Sequence, residues 1–112
     1  MNEIITRNEV MNDGKTIHLY FNGLVGLYAA YGVSAFLLDK TVEVSASYSM
    51  EMQMPVVVLN VARYEQLKHK AVVIKDVQNY RCLQVENRMD DTEYTAWAGH
   101  LREEAYIVSS IK

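Results

Sequence analysis

The sequence predicts an α/β chain of the α+β kind, with one mixed β-sheet of about five to six strands packed against about three helices. Three observations lead there. The hydrophobic period switches repeatedly between two and about 3.6 residues. Turn-forming pairs such as Asp13-Gly14 and Asn22-Gly23 punctuate the periodic stretches. Half of the residues are hydrophobic and 22% are charged, a balance that supports a packed core rather than disorder. At 112 residues the chain is expected to form a single domain, residues 1–112.

Residues 4–11 have no clear period and read as an edge strand or an arm. The Asn12-Asp13-Gly14 turn would join them in a hairpin to residues 15–21, where Ile17, Leu19 and Phe21 alternate with Thr16, His18 and Tyr20. Asn22-Gly23 then ends the strand. Leu24, Tyr28, Tyr31, Ala35 and Leu38 fall on one helical stripe, predicting a helix despite Gly26 and Gly32. From Val42 to Met54 apolar and polar residues alternate strictly, which predicts one long bent strand or two strands broken near Ser49. Val56-Val57-Val58-Leu59 follows Pro55 as a continuous apolar run, the pattern of a strand buried on both faces. Asn60 is a good N-cap for a short helix with Val61, Tyr64, Leu67 and Ala71 on one side. Strands are expected from Val72 and from Tyr80 to Glu86, with a turn near Asn79. Asp90 and Glu93 have the form of a capping box, opening an amphipathic helix over residues 90–108 that carries Tyr94, Trp97, Leu101, Ala105 and Val108.

Charge and cysteine content narrow the function classes. The formal net charge is −3, which argues against tight, independent binding to DNA or RNA, since counterion release by basic surfaces drives that affinity. A single cysteine, Cys82, rules out an intrachain disulfide. Residues 1–10 lack the apolar core of a signal peptide, and no stretch has the length of a membrane span, so a cytoplasmic protein is expected.

The sequence carries no catalytic, cofactor or metal signature. His18, His69 and His100 show no ligand spacing, and one cysteine does not make a structural zinc site. Cys82 reads as a small buried hydrophobe. Asp90, Asp91 and Glu93 suit a helix N-terminus better than an acid/base pair. The glycines match no phosphate-binding loop. What remains is a set of binding candidates. Arg63, Lys68 and Lys70 are the basic cluster and candidate phosphate contacts. Eight tyrosines are many for this length, and Tyr28, Tyr31 and Tyr48 are candidates for an interaction surface, with core packing as the plainer reading. Met50, Met52 and Met54 share one face of the alternating stretch, suiting a core or a dimer surface.

Residues 17–86 resemble the N-terminal mismatch-recognition domain of the DNA mismatch-repair protein MutS. That domain opens on a segment close to LLFRxGDFYEAFGEDA. The matching text here is His18-Leu19-Tyr20-Phe21 and then Leu27-Tyr28-Ala29-Ala30-Tyr31-Gly32-Val33-Ser34-Ala35. A PMAGFPYHALDSYLxKL segment corresponds to Met54-Pro55 and to Asn60-Val61-Ala62-Arg63-Tyr64-Glu65-Gln66-Leu67, and a closing VAICEQ strand to Tyr80-Arg81-Cys82-Leu83-Gln84-Val85-Glu86. The family works through a Phe-x-Glu motif, whose ring wedges beside a mispaired base while the carboxylate hydrogen-bonds it. Leu27 and Ala29 stand at those two positions, so neither functional side chain is present. The resemblance therefore implies a non-catalytic binding module with a DNA-related accessory role and no mismatch wedge. The alternative is a protein-interaction module or small homodimer, which the acidic charge and the tyrosine count favour.

Overall fold

The structure is a computed structural model that describes residues 2–111, with side chains through Ser109. Its chain order is α1 (Asn2–Val10), β1 (Thr16–Asn22), β2 (Leu27–Tyr31), α2 (Gly32–Thr41), β3 (Ala46–Ser49), β4 (Met54–Asn60), α3 (Val61–Leu67), β5 (Val72–Val77), β6 (Tyr80–Gln84) and α4 (Asp91–Ile111). The six strands form one sheet in the order β3-β4-β2-β1-β6-β5. Every strand pairing is antiparallel, so the α+β expectation stands while the expected mixed sheet is antiparallel throughout.

Alternation gives the sheet two distinct faces. Ile17, Leu19, Tyr28, Ala30, Val57, Leu59 and Leu83 point to one side and form the core with Ala35, Leu37 and Leu38 of α2 and Tyr64 and Leu67 of α3. His18, Tyr20, Leu27, Ala29 and Tyr31 point to the other side, the outer face. There α1 supplies cover: Ile5 is buried, and the Asn8 side-chain amide donates to the Tyr20 hydroxyl at 2.8 Å.

Three sequence expectations change. Residues 4–10 belong to a helix, not a strand, and Met11 begins the turn that follows it. The Asn12-Asp13-Gly14 turn is present, with Gly14 at φ +83° and its N–H donating to the Asn12 side chain, but it joins α1 to β1. The helical signal in α1 was its pair of buried residues, Ile5 and Glu9, four apart. A glutamate at a core position conceals that period.

The stripe beginning at Leu24 is not one helix. Residues 23–26 form a turn, with Gly26 at φ +67° and its N–H donating to the Asn22 carbonyl. Residues 27–31 then pair with β1 on one side and β4 on the other, and two sets of ladder hydrogen bonds override a weak local preference. The helix starts only at Gly32, at φ +55°, where a Cβ would press on the Glu9 side chain and the Met54 sulfur.

The alternating run from Val42 to Met54 breaks after Ser49, as the two-strand reading expects, although only Ala46–Ser49 form β3 and Met54 opens β4. A turn then reverses the chain through Gln53 at φ +56°. In β4, Val57 and Leu59 are buried but Val58 is 51% exposed, so this strand has one dry face and not two.

The remaining elements agree with the sequence. The Asn60 side chain accepts the Arg63 N–H at 2.8 Å and caps α3. Asp90 accepts the Glu93 N–H at 3.0 Å, half of a capping box. The Glu93 carboxylate does not return to Asp90 but pairs with Lys40 at 3.0 Å. Tyr94 and Trp97 bring α4 onto Phe36 edge-to-face.

Candidate binding surface

The outer face gathers side chains from four strands. Ala29 lies opposite Tyr20 on β1 and Val58 on β4, and Leu27 lies opposite Asn60. Tyr20 in turn lies opposite Tyr80 on β6. Leu27 and Ala29 are both half-buried here, two residues apart on one strand. The intervening residue, Tyr28, points the other way because a strand alternates its side chains.

Tyr28, expected on an interaction surface, is in the core. It is 6% exposed and its ring stacks on Tyr64 with centroids 4.5 Å apart. Tyr31 is half-buried on the outer face, 6.3 Å from the Tyr20 ring. Tyr48 sits on β3 opposite Pro55. The three tyrosines therefore do not form one patch.

The basic cluster divides in the same way. Lys68 is paired with Glu65 at 2.8 Å and lies over the Tyr64 ring. The Lys70 ammonium donates to the Thr41 carbonyl at 3.3 Å. Arg63 and Lys70 line one recess of about 420 Å³, together with Asp39 and Glu43, so its charge is mixed. Arg63 also lines a second recess with Val58 and Asn60, the partners of Ala29 and Leu27 across the ladder. Of the three basic residues, Arg63 is the one that reaches the flank of the outer face. Its guanidinium donates to the Gln66 side chain and makes no ion pair among the described residues.

Where α1 meets the sheet, two clefts of about 590 and 580 Å³ share Tyr20 and Asn79. One runs past Ile5, Ala29 and Tyr31 under the β1–β2 turn, and the other past Ile4 and Tyr80 beside the β5–β6 turn. Little in the chain's local pattern announces them, since they depend on the placement of a helix that its periodicity hides. The one legible signal was the uncharged Gln78-Asn79 turn.

The outer face also holds a hydrogen-bonded pair next to the free thiol. His18 Nδ1 and the Tyr80 hydroxyl are 2.6 Å apart, and Cys82 lies directly opposite His18 in the β1–β6 ladder. Burial holds the His18 pKa below its usual value, with the Asp13 charge partly opposing. Burial also raises the Tyr80 phenol, reinforced by the Cys82 thiol. Both groups are thereby kept neutral. The clefts reach Tyr80 but are lined by neither His18 nor Cys82. The Cys82 side chain itself is half-buried.

Glu9 is the second buried ionisable group. Its carboxylate accepts the Ser34 N–H at 2.8 Å and the Ser34 hydroxyl at 2.6 Å, at the start of α2. Burial raises its pKa from 4.5 to about 7, against the lowering effect of those hydrogen bonds.

No family model, curated protein or solved structure matches the chain. Among the described residues, no three His, Cys, Asp or Glu side chains are grouped to hold a metal ion, and no helix is long and apolar enough to cross a membrane.

Proposed function

We propose that this chain is a non-catalytic binding module that takes nucleic acid across the outer face of its sheet, as a divergent relative of the MutS recognition domain. The observation that carries this reading is the position of Leu27 and Ala29. The two residues that replace the Phe-x-Glu wedge lie side by side on the outer face, between an aromatic cleft and Arg63. The matched segments fall in sequence order on β1, on β2 with the start of α2, on β4 with α3, and on β6. With Leu27 and Ala29 in place of a ring and a carboxylate, the module holds nucleic acid without sensing a mispair. A cytoplasmic setting suits the free Cys82.

Fluorescence anisotropy with single-stranded, matched duplex and mismatched duplex oligonucleotides at low salt tests this. Binding is expected, weakened several-fold by Arg63→Ala, because loss of one phosphate contact acts on every sequence alike. No binding of any oligonucleotide at low salt, where screening is weakest, would refute it.

A second reading has its own observation. Strand β5 is exposed along its whole length and stands at the edge of the sheet, with Val72 68% and Ile74 56% exposed. An exposed apolar edge offers unpaired backbone groups to another strand. Under this reading the chain is a protein-interaction module or a homodimer.

A further inference from the structure

The two clefts between α1 and the sheet differ from the rest of the surface in one respect. None of the residues that line them is charged, in a chain of which 22% is charged. A site without a cation gives no anchorage to a phosphate and no counterion release. A site without an anion gives none to a basic side chain.

Aromatic and amide side chains line the clefts beside the aliphatic Ile4, Ile5, Leu24 and Val77. The Tyr20 ring lies between Tyr31, at 6.3 Å, and Tyr80, at 5.7 Å. Tyr31 lines the cleft under the β1–β2 turn and Tyr80 the one beside the β5–β6 turn, with the nearly buried Tyr20 between them, so each cleft has one half-buried ring of its own. The Tyr20 hydroxyl is held by Asn8, which fixes the central ring. Ala29, opposite Tyr20 in the ladder, adds only a methyl group and leaves room above the rings. At the rim stand Gln78 and Asn79. The Asn79 carbonyl accepts the Phe21 N–H, which anchors the turn, while the Gln78 and Asn79 side-chain amides make no hydrogen bond among the described residues.

An aromatic floor with a free amide at its edge suits a flat, uncharged heterocycle. The ring face stacks, and the edge meets a donor and an acceptor side by side. Asn and Gln amides pair in this way with the N6/N7 edge of adenine. The volumes lie within the ~300–1,000 Å³ range of small-ligand sites.

We propose that the cleft under the β1–β2 turn is a site for a single unstacked nucleobase, adenine preferred, held by stacking on Tyr31 beside Tyr20 and by the Asn79 amide, without a phosphate contact. This inference rests on the nucleic-acid reading above and names the part of the ligand that the outer face recognises.

The test is an NMR titration of the isotope-labelled full chain with adenosine, guanosine, adenosine monophosphate and N-acetyltyrosinamide, the last standing in for a protein side chain. Adenosine is expected to shift the resonances of Ala29, Asn79 and Tyr31, and to bind more tightly than guanosine. The monophosphate should bind no more tightly than adenosine. Tyr31→Ala should weaken adenosine binding by at least about fivefold, the lower end of the loss on removing a stacking ring. Tyr31→Phe, which keeps the ring, should retain binding, and equal melting temperatures would exclude a folding effect. Asn79→Ala should erase the preference over guanosine.

The inference is overturned if the monophosphate binds far more tightly than the nucleoside, or if N-acetyltyrosinamide alone shifts these residues. It is also overturned if Tyr31→Ala binds adenosine as the parent does. Oligonucleotide binding measured on the same samples separates the two claims. Oligonucleotides bound with nucleosides ignored would remove the base site and keep the nucleic-acid reading. Adenosine bound with oligonucleotides ignored would do the reverse, and silence from both would remove both.

Discussion

The carboxyl group of Glu9 is shut in against the first turn of α2, where Ser34 donates both its N–H and its hydroxyl. The Asn12 amide is also within reach at 3.4 Å, and the charges and phenols that sense Glu9 from other elements are Tyr20, Tyr80 and Tyr94. All three phenols are neutral near pH 7, and burial raises Tyr20 to about 12. With no cation among the described residues to offset its desolvation, Glu9 holds its proton to about pH 7 instead of 4.5. The sign follows from linkage. A group whose folded pKa is raised favours the folded state fully below about pH 4.5 and loses that contribution as pH rises through about 7. The difference corresponds to roughly 3 kcal/mol. His18 works in the opposite direction: its lowered pKa favours the folded state above its ordinary value of 6.5 and costs stability as pH falls below it. Glu9→Gln is therefore expected to melt higher than the parent at pH 8. Between pH 5 and pH 8, above the range in which the lowered Asp13 carboxyl titrates, it should show the reverse slope due to His18. Thermal melts from pH 5 to pH 8 check both. A parent protein whose melting temperature climbs steadily across that range would contradict the assignment of Glu9. The residue itself was in plain view in the sequence, but its role was not. A glutamate four residues after an isoleucine reads as a solvated charge until a distant serine supplies the hydrogen bonds that let it be buried.

Elements were legible where local chemistry and tertiary pairing agree. Asn60 and Asp90 cap their helices as their side chains dictate, because a cap is settled within a few residues of chain. Strand β1 and the β5–β6 hairpin follow from alternation and a two-residue turn. Residues 24–31 were misread because Leu24, Tyr28 and Tyr31 satisfy a helical stripe, while the pairing partners that make 27–31 a strand lie at residues 20–22 and 56–60. That information is non-local. The outer-face positions of Leu27 and Ala29 came with that correction. Strand β5 illustrates a different limit: its strand character was expected from Val72, but nothing local shows that all six residues are exposed. It sits at the sheet edge with a register shift between Val73 and Lys75, and the bulge falls on Ile74. Bulges and edge charges are devices that blunt unwanted pairing, and here Lys75 and Asp76 are the charges. The Asp76 carboxylate is engaged with Arg81 at 3.0 Å. If β5 nonetheless recruits a second copy or another strand, Ile74→Lys should abolish the association without loss of stability, since the side chain is already 56% exposed. Light scattering across a concentration series decides the matter. A parent that stays monomeric at every concentration removes self-pairing at this edge.

At the scale of the whole molecule the governing quantity is charge. A net charge of −3 repels a polyanion at long range, and only local features can overcome that repulsion. The basic residues that suggested a phosphate track are dispersed: Lys68 is neutralised by Glu65, Lys70 is turned to a carbonyl, and Arg63 shares its recesses with Glu43. Under the proposed reading, nucleic acid would therefore be held mainly through its bases, which has a distinct signature. A protein making about six to ten phosphate contacts loses roughly a thousandfold or more in affinity between ~50 and ~200 mM salt, whereas one or two contacts lose only about three- to tenfold. This chain is expected to fall in the second class. Single strands should bind better than duplex, because only unpaired bases present their faces to an aromatic floor. A mismatched duplex should bind no better than a matched one, because Leu27 offers no ring to wedge and Ala29 no carboxylate to receive a hydrogen bond. Anisotropy titrations of the three substrates at several salt concentrations measure all of this together. A steep salt dependence, or a clear preference for the mismatch, would mean that recognition lies on a surface other than the outer face. The shallow slope should flatten further in Arg63→Ala if the remaining phosphate contact is the one at the β4 flank.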